Sequence, residues 1–206
     1  MAIEQVTLGQ LKSDLAGVRV TRGVREVVLH HTWSPTAAQY RGQETWEAIR
    51  RYHMQDRGWS DIGYHYGIGP DGSIWKLRPV TRSGAHVLNR NQHTVGVACV
   101  GNFDVEDPLK HGLGAAAEVV RVMVERFKLK DENIRFHREF SEKTCPGTKV
   151  DLTNFRQMVM SGQGSGEEGR TVRVVEVSTG KVIAAYELAE GGDHLADQGK
   201  LYVKGT

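Results

Sequence analysis

The chain has 206 residues, of which 39% are hydrophobic and 25% are charged, and its net charge at neutral pH is +2. This composition excludes a collagen-like or disordered chain and allows one domain of ordinary size plus a small appendage. The mild positive excess suits an anionic polymer but lacks the dense basic patch of nucleic-acid binders, and no apolar run approaches the ~20 residues that span a bilayer. We therefore predict no nucleic-acid partner and no membrane partner.

The first 17 residues, MAIEQVTLGQLKSDLAG, contain acidic side chains and no continuous apolar segment. They do not resemble a signal peptide, so we expect synthesis in the cytoplasm and release by another route if the protein acts outside the cell. The two cysteines have different settings, since Cys99 lies in an apolar run and Cys145 in a polar one. We predict that they are not bridged, as is typical of a reducing compartment.

The next segments predict a strand and then a helix. REVVLHHT (residues 25–32) is β-branched and apolar, which predicts a central strand. ETWEAIRRYHMQDRGW (residues 44–59) places Trp46, Ile49 and His53 at helical spacing, and Gly58 is a natural stop.

A hairpin and a second strand–helix pair follow. IGYHYGIGPDGSIWKLRP (residues 62–79) predicts a hairpin around Pro-Asp-Gly, with Tyr64, Tyr66 and Ile68 on one face. HTVGVACVGNF predicts another central strand, AAAEVVRVMVERFKL an amphipathic helix and NIRFH a short strand. Together these elements predict an α/β (α+β) domain with a central mixed β-sheet flanked by helices.

The composition changes near residue 160. We predict a main domain over residues 1–160 and a flexible linker, SGQGSGEEG, over residues 161–169. Residues 170–206 contain three strand-like runs, RTVRVVEV, KVIAAYEL and KLYVKG, which predict a small β-rich appendage. It is too short to predict an independent fold, so docking on the main domain, pairing between chains and an accessory module stay open.

A polar stretch near the end of the main domain, FHREFSEKTCPGTK, holds His137 and Cys145 eight residues apart. Imidazole and thiolate are zinc ligands, and a catalytic zinc typically has three protein ligands and one open position. The third could come from VVLHHT, which offers His30 and His31. Consecutive strand residues point to opposite faces, so one of the two is expected to reach the metal, and periodicity alone does not choose between them.

Four segments then occur in a familiar order: VVLHHTWSP, GWSDIGYHYGIGPDGSIWKLRP, GAHVLNRNQHTVGVACVGNF and FHREFSEKTCPGTKVD. Together they resemble the zinc-dependent N-acetylmuramoyl-L-alanine amidases shared by phage lysins, bacterial autolysins and peptidoglycan recognition proteins. The resemblance covers roughly Val27 to Phe155. It implies a central mixed sheet flanked by helices, with a groove that holds one Zn²⁺ per chain.

The resemblance also implies roles for individual residues. It makes His30, His137 and Cys145 the zinc ligands. Tyr64 and Lys143 match catalytic positions, and a lysine two residues before the cysteine marks the phage-lysin branch. The implied substrate-binding residues are His86, His31 and Asn89.

The implied reaction is hydrolysis, by zinc-activated water, of the amide between the lactyl group of N-acetylmuramic acid and L-alanine in bacterial peptidoglycan. Lys143 would stabilise the oxyanion, and Tyr64 would either hold the water or shuttle a proton. We expect a phage or prophage endolysin that reaches the wall after release from the host cytoplasm. The small C-terminal module would then bind the wall or mediate self-association.

Two other functions remain open from the sequence. A non-catalytic peptidoglycan-binding module would use the same groove, although binding alone does not need an open zinc position. A zinc hydrolase of another amide, such as a peptidase, would use the same metal chemistry.

Overall fold

The computed structural model describes residues 2–162 in full and the backbone of two further strands, residues 170–175 and 182–188. The elements occur in the order β1 (Glu4–Val6), α1 (Leu8–Gly17), β2 (Glu26–His31), α2 (Gln43–Gln55), β3 (Tyr66–Ile68), β4 (Ile74–Lys76), β5 (Thr94–Cys99), α3 (Leu113–Phe127), β6 (Ile134–Phe136), α4 (Leu152–Ser161), β7 (Arg170–Val175) and β8 (Val182–Leu188). Within these described residues, no helix combines the length and the apolar character needed to cross a bilayer.

Six strands form one sheet in the order β1-β4-β3-β5-β2-β6. The pairs β1–β4 and β4–β3 are antiparallel, whereas β3, β5, β2 and β6 run parallel to one another. The two strands predicted to be central, β2 and β5, lie inside the sheet, and every residue of β5 is buried. The predicted mixed sheet flanked by helices is confirmed.

Helices cover both faces of this sheet. On one face, α1, α3 and α4 pack against Val27 and Leu29 of β2 and the corresponding side chains of its neighbours. On the other face, Trp46 of α2 packs against Ala98 of β5. Because side chains alternate along a strand, His30 points to the α2 face and His31 points to the opposite face.

Tyr64 does not share a face with Tyr66 and Ile68, so this part of the hairpin prediction is wrong. Tyr66 and Ile68 pack in the core beneath α3, whereas Tyr64 packs on the α2 face. The regular pairing of β3 with β4 does not extend to Tyr64. There the adjacent N–H groups of Leu77 and Arg78 donate to the carbonyls of His65 and Tyr64, respectively. Adjacent donors break the alternation of an antiparallel ladder, and the side-chain direction changes there.

Two strands of the predicted appendage are present. β7 and β8 form a separate antiparallel pair with an irregular register between Val174 and Val175. The linker beyond residue 162 and the predicted strand at residues 200–205 lie outside the described residues. The limits of the C-terminal module therefore remain a prediction.

Candidate functional site

The parallel pairing of β2 and β6 places His30 beside His137. Leu29 of β2 lies opposite Phe136 of β6, and the residue that follows each of them is a histidine. The two imidazole ring centroids are 4.7 Å apart. Because the carboxyl ends of parallel strands lie at one edge of a sheet, this edge collects both side chains on the α2 face.

Cys145 completes a cluster with these two histidines. Its Sγ lies 3.7 Å from His30 Nδ1, and the ligand atoms of His30, His137 and Cys145 all lie within 4.8 Å of one another. Zn–S and Zn–N bonds of about 2.3 and 2.0 Å in a tetrahedral site require a sulfur–nitrogen separation of about 3.5 Å. The donor set and its spacing therefore fit a zinc ion with three protein ligands and one open position.

His31 faces away from this cluster. Its Nδ1 accepts a hydrogen bond from the backbone N–H of Phe103 at 3.1 Å, and its ring packs against the Phe103 ring. The choice between the two adjacent histidines, which periodicity left open, thus falls on His30 as the one beside Cys145. His31 also contributes to the groove lining, and its predicted contact with substrate remains a prediction.

Hydrogen bonds to its backbone and to one of its side chains hold the loop that carries Cys145. The N–H of Arg138 donates to the Cys145 carbonyl at 2.7 Å, and the Arg138 guanidinium donates to the carbonyls of Gly147 and Val150, each at 2.8 Å. The Asp104 carboxylate accepts from the Thr144 hydroxyl at 2.8 Å. Charge-assisted bonds of this kind fix the thiol relative to His137, which adjoins Arg138 in sequence.

Tyr64 stands beside His30, with ring centroids 5.2 Å apart. Behind it, the His53 ring lies 5.6 Å from Tyr64 and 4.6 Å from Trp59. His53 Nδ1 accepts the N–H of Gly63 at 3.2 Å, so this histidine is held as a packing residue. The stack places Tyr64 beside the cluster of His30, His137 and Cys145.

Lys143 is exposed and lines the same groove as the cluster. The pKa of His137 lies below its ordinary value because of burial first and the Lys143 charge second. Lys143 is therefore a positively charged neighbour of the cluster.

The two remaining candidates differ in position. His86 is buried, with Nδ1 3.0 Å from His30 Nε2, and it also contributes to the groove lining. Asn89 is an exposed turn residue with φ of 62° and is not among the residues that line the groove. A substrate contact by either one stays a prediction. The sequence interpretation missed Asn91, whose Oδ1 accepts from the N–H of His86 at 2.7 Å.

Burial controls the protonation of the cluster. It lowers the pKa of His30 well below the ordinary value, and the nearby rings of His86 and His137 lower that pKa further. Burial also raises the pKa of the Cys145 thiol to about 12. At neutral pH the metal-free site therefore holds neutral imidazoles and a protonated thiol.

This protonation pattern predicts how zinc binding depends on pH. Zinc binds the thiolate, so Cys145 must lose one proton on binding, whereas the neutral imidazoles lose none. At pH 6.5 we expect about one proton released per zinc, and the apparent Kd should fall about tenfold per pH unit. Calorimetry in buffers of different ionisation enthalpy measures this number. A count near zero contradicts the protonated thiol, and a count near three contradicts the neutral imidazoles.

The cluster lies in a groove of about 1270 Å³ between the strand ends and α2. Its lining includes four aromatic and four cationic side chains: Trp33, Tyr52, Trp59, Tyr64, Arg41, Arg51, Arg57 and Lys143. Glu44 and Glu142 are its acidic lining residues. The positive excess suits a ligand that carries carboxylates.

Comparisons with known proteins identify the family of this chain. The family described as N-acetylmuramoyl-L-alanine amidase matches residues 20–148. Peptidoglycan-recognition protein SC1a of Drosophila melanogaster is 32% identical over 127 residues, covering 60% of this chain and 68% of that protein.

Two solved structures share the fold. N-acetylmuramoyl-L-alanine amidase LysC from Clostridium intestinale matches with a TM-score of 0.56 and 26% identity, covering 67% of this chain and 86% of that one. Ph2119 endolysin from a Thermus scotoductus bacteriophage matches with a TM-score of 0.56 and 29% identity, covering 69% and 88%, respectively. The chain belongs to the N-acetylmuramoyl-L-alanine amidase family, within the superfamily of type 2 amidases and peptidoglycan recognition proteins.

Proposed function

We propose that this protein is a zinc-dependent peptidoglycan hydrolase that cleaves the amide between the lactyl group of N-acetylmuramic acid and L-alanine. The observation that carries the proposal is the His30–His137–Cys145 cluster, whose ligand atoms lie within 4.8 Å of one another in an open groove. Membership of the amidase family supports the same bond. A site with three ligands and one open position is typical of a catalytic zinc.

His30, His137 and Cys145 would hold the ion. When bound, zinc supplies Lewis acidity toward the scissile carbonyl and lowers the pKa of water to near neutrality. The chain itself supplies the groups that bind and orient the substrate around that position.

Lys143 is the residue we propose as the oxyanion stabiliser. Hydrolysis of an amide places negative charge on the carbonyl oxygen, and a nearby ammonium stabilises that charge more than it stabilises the neutral ground state. Lys143 is two residues from Cys145 and exposed in the groove, so it can reach a substrate at the cluster.

Tyr64 is proposed to act as a protonated phenol. Burial raises the pKa of Tyr64 above its ordinary value, and the nearby Cys145 raises it further. The phenol therefore keeps its proton at neutral pH and can donate a hydrogen bond to water or pass a proton toward the leaving amine. His53 and Trp59 hold the ring in place for either role.

The biological setting we propose is that of an endolysin released from a host cell to act on its wall. The similarity to the Ph2119 endolysin and the lysine at position 143 support this setting. We further propose that the β-rich module after residue 169 binds the wall or mediates self-association.

The test is product analysis after digestion of purified peptidoglycan. We expect free peptides that begin with L-alanine and intact glycan strands, because only the lactyl–alanine amide is cut. New reducing sugar ends would indicate a glycosidase, and new amino termini within the peptide would indicate a peptidase. Wall binding by the zinc-loaded protein without any product would place it among the non-catalytic recognition modules.

A further inference from the structure

Both ring nitrogens of His86 are engaged inside the protein. Nδ1 lies 3.0 Å from His30 Nε2, and Nε2 lies 3.3 Å from Thr94 Oγ1. The Thr94 hydroxyl donates to the carbonyl oxygen of Arg90 at 3.1 Å. These contacts form one continuous chain from a backbone carbonyl to His30, which we call the His86 relay (Arg90 carbonyl, Thr94, His86, His30).

The direction of the relay follows from which groups can donate. The Arg90 carbonyl only accepts, and a hydroxyl has a single proton to give. The Thr94 hydroxyl donates its hydrogen bond to the Arg90 carbonyl, so the Thr94 oxygen accepts the hydrogen bond from the N–H of His86 Nε2. His86 Nδ1 then carries no proton and accepts the N–H of His30 Nε2.

This direction leaves the correct atom of His30 for a metal. With the proton on Nε2, the lone pair of His30 Nδ1 is free, and Nδ1 is the atom that lies 3.7 Å from Cys145 Sγ. The opposite direction would put the proton on Nδ1, between the ring and the thiol. The donor count of the relay therefore leaves Nδ1 of His30 unprotonated, and Nδ1 is also the His30 atom beside Cys145 in the cluster.

The ring of His86 has little freedom to leave this position. Asn91 Oδ1 accepts from the N–H groups of His86 and Val87 at 2.7 and 2.9 Å. A Cβ at Gly96 of β5 would lie 2.8 Å from the His86 ring, so the strand leaves just enough space for the imidazole. Because both its backbone and its ring are confined, His86 is suited to orient the His30 ring.

We propose that His86 and Thr94 are positioning residues that keep His30 in the tautomer whose Nδ1 can bind zinc. The inference rests on the metal site of the proposed function, but neither residue would touch the ion. Partners of this kind on the second nitrogen of a ligand histidine typically change metal affinity about 10–100-fold.

The direct test is ¹⁵N NMR of the metal-free protein labelled at histidine. We expect His30 and His86 to be protonated on Nε2, each with an unprotonated Nδ1. A His30 protonated on Nδ1 would overturn the relay. This measurement needs neither zinc nor activity, so it separates a failure of the relay from a failure of the proposed function.

Variants test the consequence for zinc affinity, measured by competition with a chelator. His86→Leu should weaken zinc binding by about tenfold or more, whereas His86→Asn, whose Oδ1 can accept in place of Nδ1, should recover most of the loss. Thr94→Val should also weaken binding.

The matched control for Thr94→Val is Thr45→Val, which removes another buried hydroxyl that accepts the N–H of Arg41 outside the relay. We expect Thr45→Val to leave zinc affinity unchanged. Unchanged affinity in His86→Leu, or equal losses in the two threonine variants, would mean that the relay does not position His30.

Discussion

Cys145→Ala should leave the protein folded but without zinc and without hydrolytic activity. Cys145 is the only thiolate donor of the cluster, and the loop around it is held by Arg138 and Asp104 through groups that the substitution does not touch. Removing it leaves two imidazoles, which is fewer than the three protein ligands of a catalytic zinc. We expect metal content to fall from about one zinc per chain to background, and release of L-alanine termini to fall with it.

The matched control is Cys99→Ala. Cys99 is the other free cysteine, and it is fully buried in the core beneath α3, on the face of the sheet opposite the cluster. This change should lower thermal stability slightly through lost packing while keeping zinc and activity. A stoichiometrically zinc-loaded, active Cys145→Ala protein would show that the ligand assignment is wrong.

Lys143→Ala should keep zinc and lose most of the turnover. Lys143 is not a ligand and is exposed, so its removal leaves the donor set intact. Loss of one group that stabilises a developing oxyanion typically costs about 10²–10³ in kcat. We therefore expect a drop of that size in kcat, with a smaller change in KM because the interaction is strongest in the transition state.

Lys130→Ala is the corresponding control, because Lys130 is a similarly exposed lysine that does not line the groove. Its kcat should equal that of the unmodified protein. If Lys143→Ala retained near-normal kcat, or if its loss were entirely in KM, Lys143 would be a binding residue and not part of the chemistry.

The fold was largely predictable because its central elements rest on local patterns. The apolar β-branched runs of β2 and β5 and the helical spacing of Trp46 and His53 each indicate one type of element. The N-terminal strand and α1 escaped prediction, since α1 buries few side chains, chiefly Leu11 and Leu15. Its start is marked instead by a capping box between Thr7 and Gln10.

The sequence indicated the three residues that the structure brings together, His30, His137 and Cys145, but not their geometry. Choosing His30 over His31 from the residues alone requires the register of β2 against β6, which no local pattern contains. The position of Tyr64 depends on the irregular pairing that follows it, so simple alternation predicts the wrong face.

The surroundings of His86 illustrate the same limit. Asn91 and Thr94 contact it from a turn and a strand start, five and eight residues away, without a periodic pattern. One sequence signal was available, because a glycine inside a buried strand, here Gly96, often marks the close approach of another group. In this protein that group is the His86 ring.

We propose that one zinc held by His30, His137 and Cys145 makes this groove an amidase. The most direct test of this claim is a zinc titration of the metal-free protein while the release of L-alanine amino termini from purified peptidoglycan is followed. We predict no release without metal and a plateau at one equivalent of zinc per chain. Full release before any zinc is added, or no release at any zinc level, would contradict the claim.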